Sequence, residues 1–540
     1  MGVNICLWFA SIIALNLTIL IMKFTSKLFL AACAVTFFSC NDDVVTEDLK
    51  NVIDEIKDEV VDTTVDFKYK STITLRTGPE GEDDSEGASE IAAFDPVSKK
   101  LFVVNVEINE ISIVDLSNPS TPVKSGAFDL DGKGAPNSVA VYGGKFAVAL
   151  EADVKQDNGK IVVFDAATET IEKEYTVGAL PDMVTFTKDG KYILSANEGE
   201  PNDAYDNDPK GTISIIDRET EVVTTLDFTS FNASEAALEA EGFRVFGPNA
   251  DLATDVEPEY IAVSADSKTA WVSLQENNGI AKVNIETKSI EAIYPLGFKD
   301  YNLAGNSIDA SDKDGVKELK NWNVKGIYQP DAITAINISG AEYVISANEG
   351  DARDYDGYSE EVRLDDLVLD ETVYPASGDF LNEINLGRLK TTTTLGDNGN
   401  GKVSQIYSYG ARSFSIWSAN GDLVYDSGNN IAKETLIETP SVFNGGDKRS
   451  DDKGAEPESV TTLSLGDRHI LFVGLERNNQ VMLYDISNPL APNFLDILSH
   501  DGDVGPEGLL VVPAVDSPSG KDLLIVSNEV SGTVSIYENN

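Results

Sequence analysis

The chain has 540 residues, with 91 acidic side chains against 41 basic ones, a formal charge of −50. Neutralising nucleic-acid phosphates needs clustered Lys and Arg, so this balance argues against a nucleic-acid partner and favours solubility and cation binding. There are two His, and all three Cys (Cys6, Cys33, Cys40) stand in the first 40 residues, which excludes a three-His metal site, a catalytic thiol or a Cys-ligated zinc from the body of the chain.

The amino terminus reads as an address. Residues 3–21 are almost wholly apolar, and a second signal-like pattern starts at Met22. Lys23 and Lys27 form its basic region, residues 28–38 its apolar stretch, and Ser39-Cys40 follows. The order predicts a signal segment over 1–39, with 1–21 an over-extended start. The run 37–43 resembles a bacterial lipobox, which makes Cys40 the lipidated first mature residue. An uncleaved membrane anchor is the alternative. Residues 41–67, rich in Asp, Glu and Val and without Gly or Pro, follow as an acidic tether, so that 40–67 is anchor plus tether. The expected location is the bacterial cell envelope, lipid-anchored at the outer membrane or cell surface, with the membrane as one partner.

Residues 68–540 carry short β-rich runs bounded by Gly, Asn, Asp and Pro, with no sustained helical period. Three markers recur in phase, seven times each. The first is an acid or amide, usually after Pro, at the start of an apolar run: Glu90, Asn137, Asp182, Glu259, Asp331, Glu458 and Glu507. The second is a Glu ending the next run: Glu107, Glu151, Glu198, Glu276, Glu349, Glu476 and Glu529. The third is an alternating strand at 111–115, 161–165, 213–217, 281–285, 413–417, 481–485 and 534–538. Repeats of this size built from short strands predict an all-β fold, a single β-propeller of seven four-stranded blades. An orphan strand at 68–77 supplies the outer strand missing from the last repeat. Eight blades is the alternative, because strand-like runs at 361–368, 389–395 and 405–409 interrupt the fifth repeat.

Long insertions at 199–210, 228–256, 298–328 and 350–402 fall on one face of such a propeller, the face onto which the acidic markers open. Function concentrates in variable loops on a rigid scaffold. Crowded carboxylates raise one another's pKa unless a cation compensates, and Ca²⁺ accepts several oxygens in irregular geometry. The candidate metal ligands are Glu198 with Asp203, Asp206 and Asp208, and Glu349 with Asp351, Asp354 and Asp356. Arg353, Arg412 and Arg477 are candidates for an anionic substrate, or for pairing with rim acids. The recurring Glu can equally pin blade to blade. Trp271, Trp417 and Tyr484 read as blade packing. No organic cofactor is implied, and no hydrolase or nucleotide-binding motif is present.

The runs 195–203 (Ser-Ala-Asn-Glu-Gly-Glu-Pro-Asn-Asp), 345–353 (Ile-Ser-Ala-Asn-Glu-Gly-Asp-Ala-Arg), 412–417, 450–458 and 506–508 together resemble the choice-of-anchor I family of secreted proteins. That family is related to sequences labelled mesenchyme-specific cell-surface glycoprotein and sometimes alkaline phosphatase. The resemblance implies an exported propeller held by varied anchors. Two functions follow as expectations. One is a surface-tethered binding module for a small-molecule, polymer or protein ligand, with an acidic, Ca²⁺-binding loop face. The other is a metal-dependent phosphoesterase or other hydrolase.

Overall fold

The computed structural model describes residues 62–77 and 87–540. The signal segment, Cys40 and the tether as far as residue 61 lie outside the described residues.

The repeats fold into seven four-stranded antiparallel sheets over 92–129, 136–179, 181–227, 258–295, 333–426, 457–498 and 506–539. The fifth sheet takes Ile333–Ile338 and Ala341–Asn348, then Ser413–Ser418 and Leu423–Asp426 after a long insertion. The seventh has three strands of its own and receives Phe67–Thr74 as its outermost strand, antiparallel to Thr533–Asn539. That pairing covers what would be an open sheet edge.

Burial follows the order of strands. Second strands such as Tyr192–Asn197 and Leu523–Asn528 are buried at every position, whereas the outer strand Thr170–Ala179 is exposed over its first half. A strand buried on both faces reads as a continuous apolar run, which explains Tyr-Ile-Leu-Ser-Ala at 192–196.

Each pair of neighbouring blades shares one apolar cluster. Phe102 of the first blade stacks on Phe146 of the second at 4.2 Å. Ile161 meets Ile193 between the second and third, and Leu194 meets Val272 between the third and fourth. Trp271 and Trp417 join the fourth to the fifth, and Phe414 packs on Tyr484, 4.7 Å away, between the fifth and sixth. Phe472 meets Phe67 and Val526 of the seventh, whose Leu523 returns to Leu101 of the first. The series ends where it began, so the molecule is a closed seven-bladed propeller. Trp271, Trp417 and Tyr484 are at most 2 % exposed, as blade packing requires.

The eight-blade alternative is corrected. The extra runs in the fifth repeat join a small five-stranded sheet, ordered Phe298–Asp300, Val324–Ile327, Ile406–Ser408, Lys390–Thr392, Glu361–Arg363. Its core is its own: Tyr301, Val324, Leu364, Leu386 and Ile406. It is an accessory sheet built from two insertions. Among the described residues no helix is long and apolar enough to cross a membrane.

Candidate functional site

In five blades the Pro–acid (or Pro–Asn) pair that opens the first strand coincides with a slip in strand register. The breaks fall between Pro136 and Ser138, Pro181 and Met183, Pro258 and Ile261, Pro457 and Val460, and Pro506 and Gly508. Proline has no N–H to give the ladder, and the residue after it stands out of the pairing as a bulge. Asn137, Asp182, Glu259, Glu458 and Glu507 are those residues. With Glu90 and Asp331 they line a central cavity of 1010 Å³, joined by Glu151, Glu198, Glu276 and Glu349 from the ends of the second strands. Further along, the lining turns apolar at Val141, Phe186, Val263 and Leu510.

This is an acidic collar on an apolar neck, and its charges are poorly compensated. Burial, with Glu529 and Asp182 nearby, pushes Glu90 up to about 9. Burial and Glu200 raise Asp182 to about 7. Burial lifts Glu276 to about 7, although Arg353 pulls the other way. Glu198, Glu259, Asp331, Glu458 and Glu507 are raised well above the carboxylate range, by burial first and by one another second. Glu458 and Glu507 are half-buried and line the channel. One carboxylate oxygen of each of Glu259, Glu276, Glu458 and Glu507 has no hydrogen-bond partner.

Glu349 is the hub of the collar. Its Oε2 accepts from Gln275 Nε2 of the preceding blade at 3.0 Å, and its Oε1 accepts from Lys453 Nζ. It therefore does link blades, through side chains. Carboxylate oxygens of Asp331, Glu349 and Glu458 lie within 4.8 Å of one another, and so do those of Glu349, Glu456 and Glu476. In the second group, burial of Glu456 is outweighed by Lys453, Arg449 and Arg477, which hold it below its ordinary value. Arg449 Nε stands 2.7 Å and Arg477 Nε 3.1 Å from Glu456.

Of the ligands expected from sequence, Glu198, Glu349 and Asp351 line the channel. Asp203, Asp206, Asp354 and Asp356 are exposed on two loops that lean together. Gly357 N donates to Asp203 O at 2.8 Å, and Tyr205 meets Tyr355 and Tyr358 edge-on at 5.6 and 5.3 Å. Asp206 Oδ1 accepts from Asn202 at 2.8 Å. Asp208 is half-buried and raised to about 6 by burial, against the pull of Arg353.

The arginines are largely committed to the protein itself. Arg353, 2 % exposed, pairs with Asp255 at 2.7 Å and Glu257 at 3.0 Å and lies over the Phe246 ring. Arg412 donates to the backbone carbonyls of Asp309, Ser450 and Asp452. Arg477 is part-exposed and bound to Glu456 and Glu476. None of the three lines the channel.

Lys453, Glu456, Gln275 and Glu257 were not singled out by the sequence. Asp451-Asp452-Lys453-Gly454-Ala455-Glu456, a cation inside an acidic run beside a marker, is the signal that could have found the first two. The Ser-Ala-Asn-Glu-Gly runs resolve into two functions. Asn197 and Asn348 are fully buried and tie the second strand to the third, accepting from Ser195 and Ser346 and donating to Ser214, Ser413 and Ser415. Gly350 turns the chain at φ 91°, where a Cβ would lie 2.1 Å from Gly410 N. Between them the Glu is delivered to the channel.

Fold and channel together define a seven-bladed propeller with a carboxylate-lined axis. Residues 90–489 match the Choice-of-anchor I domain. The chain belongs to the choice-of-anchor I family. It is similar to Gigasin-3a of Magallana gigas, 30% identical over 181 residues, which is 28% of this chain and 64% of that protein. It is also similar to the mesenchyme-specific cell surface glycoprotein of Strongylocentrotus purpuratus, 26% identical over 369 residues, 59% of this chain and 46% of that protein. The chain thus spans only part of the length of the curated relatives it matches. Among solved structures, Kuenenia stuttgartiensis hydrazine synthase aligns at TM-score 0.45 and 13% identity, covering 86% of this chain and 98% of that one. The Cps50 (Swd1) β-propeller domain of Myceliophteria thermophila aligns at 0.43 and 8%, covering 88% and 100%.

Proposed function

We propose that this protein is a cell-surface or extracellular propeller, tethered through Cys40, that binds divalent cations, Ca²⁺ first, at its acidic channel mouth and uses that face to hold a ligand. The observation that carries the reading is the collar itself. Buried carboxylates ring the channel, several with an oxygen that has no partner. Burying such groups unpaired is costly, and a cation with many oxygen ligands offsets that cost. The commitment of Arg353 and Arg412 to buried partners supports binding over hydrolysis of an anionic substrate. A relative named as a cell surface glycoprotein supports the location, and the lipobox supports the tether.

Elemental analysis of the purified full chain, before and after chelation, tests the cation. Stoichiometric calcium that chelation removes is the expected result, and no bound or rebinding metal defeats the reading. Cys40→Ser tests the tether separately: the variant should leave the membrane fraction, and an unchanged distribution counts against lipidation.

A further inference from the structure

We propose that Asp331, Glu349 and Glu458 form one divalent-cation site of Ca²⁺ type on the channel wall, with Lys453 as its tethered counter-ion. The inference rests on the cation-binding reading above and narrows it to one set of ligands.

Two carboxylate triads share Glu349, and charge separates them. In Glu349–Glu456–Glu476 the acids are met by Arg449, Arg477 and Lys453, at 2.7, 3.1 and 3.7 Å from Glu456. Three cations balance three carboxylates, and that group is closed by its own side chains. In Asp331–Glu349–Glu458, among the described residues, the one ion-pair contact is Lys453 on Glu349. Once ionised, the three carboxylates less one ammonium leave a charge of −2, which a divalent ion cancels.

Two further observations point to a ligand. Glu259, beside Asp331 in the ring and 9 % exposed, belongs to the wall of the same cavity and has its Oε2 buried without a partner, and Glu458 Oε2 is likewise without a partner. The donors are all carboxylate oxygen, the ligand type that Ca²⁺ selects and soft transition metals do not. The Lys453 ammonium already stands on Glu349, so a cation is seated at the edge of the site. Lys453 Nζ also lies 3.7 Å from both Asp351 and Glu456. An arriving ion takes Glu349, and the ammonium passes to those two acids without losing its compensation. Lys453 thereby sets the affinity and disfavours monovalent ions, which bring too little charge to displace it.

Calorimetric titration of Ca²⁺ into the chelated full chain in detergent tests the site, with thermal unfolding to establish that each variant is folded. Glu458→Gln and Asp331→Asn should each weaken binding by about thirtyfold or more, and Glu476→Gln by less than about threefold. Lys453→Met should tighten it about tenfold, and more than Lys155→Met, which removes a charge elsewhere on the channel wall. A wild type silent to Ca²⁺ overturns the site together with the cation-binding reading. Binding untouched by Glu458→Gln and Asp331→Asn overturns this site and leaves the cation reading standing. Equal loss from Glu476→Gln and Glu458→Gln overturns the choice between triads.

Discussion

Arg353 shows how a single side chain can look functional and be structural. It follows a Glu-Gly-Asp-Ala run on the acidic face, yet its guanidinium is sealed between Asp255 and Glu257 under the insertion that carries Phe246. Removing it strands two buried carboxylates, so Arg353→Met should cost about 3–5 kcal/mol in denaturant unfolding. Arg477 remains part-exposed, and Arg477→Met should cost clearly less in the same measurement. Comparable losses would mean that Arg353 is not the pin described. Asn348 is a second such residue. Asn348→Ala removes its bonds to Ser346, Ser413 and Ser415 and should destabilise by about 2 kcal/mol. Its neighbour Glu349→Gln should act mainly on cation binding.

At the scale of elements, Phe67–Thr74 is the strand that holds the ring shut. It buries Phe67 against Phe472 at 5.1 Å and pairs along Thr533–Asn539. Deleting residues 62–77 should lower the melting temperature and promote aggregation through the bared edge, read by scanning calorimetry and light scattering. An unchanged melting temperature would contradict the closure. This element was legible because the last repeat stops one strand short and a β-rich run stands ahead of the first. The phased markers were legible for a related reason: five blades bulge the first strand at the marker residue and every blade buries most of its second strand, and both requirements leave residues at fixed places. The accessory sheet was not legible as a sheet. Val324–Ile327 pairs in parallel with Ile406–Ser408 across about eighty residues, and strands of three or four residues carry no period that announces a partner. The candidate site was half legible. Register placed the ring acids together, but whether Glu349 meets Lys453, or Arg353 meets solvent, depends on loops whose packing no local pattern encodes.

At the scale of the whole molecule, the charge of −50 is not spread evenly, because part of the excess is turned inward onto the channel. Asp182, Glu276 and Glu476 are raised to about 7 and Glu90 to about 9, with burial the leading cause for each. Between the ordinary carboxylate value near 4 and those raised values, the folded chain holds protons that the unfolded chain has released. Folding then takes up protons, and stability falls as pH rises through that window. A cation on the collar favours the ionised form, so its stabilising effect should grow over the same range. The most direct measurement is therefore the melting temperature of the chelated full chain at pH 5 and pH 8, with and without Ca²⁺ well above its dissociation constant. The collar predicts a small shift at pH 5 and a rise of about 3 °C at pH 8. A melting temperature indifferent to Ca²⁺ at both pH values would contradict a cation-binding channel.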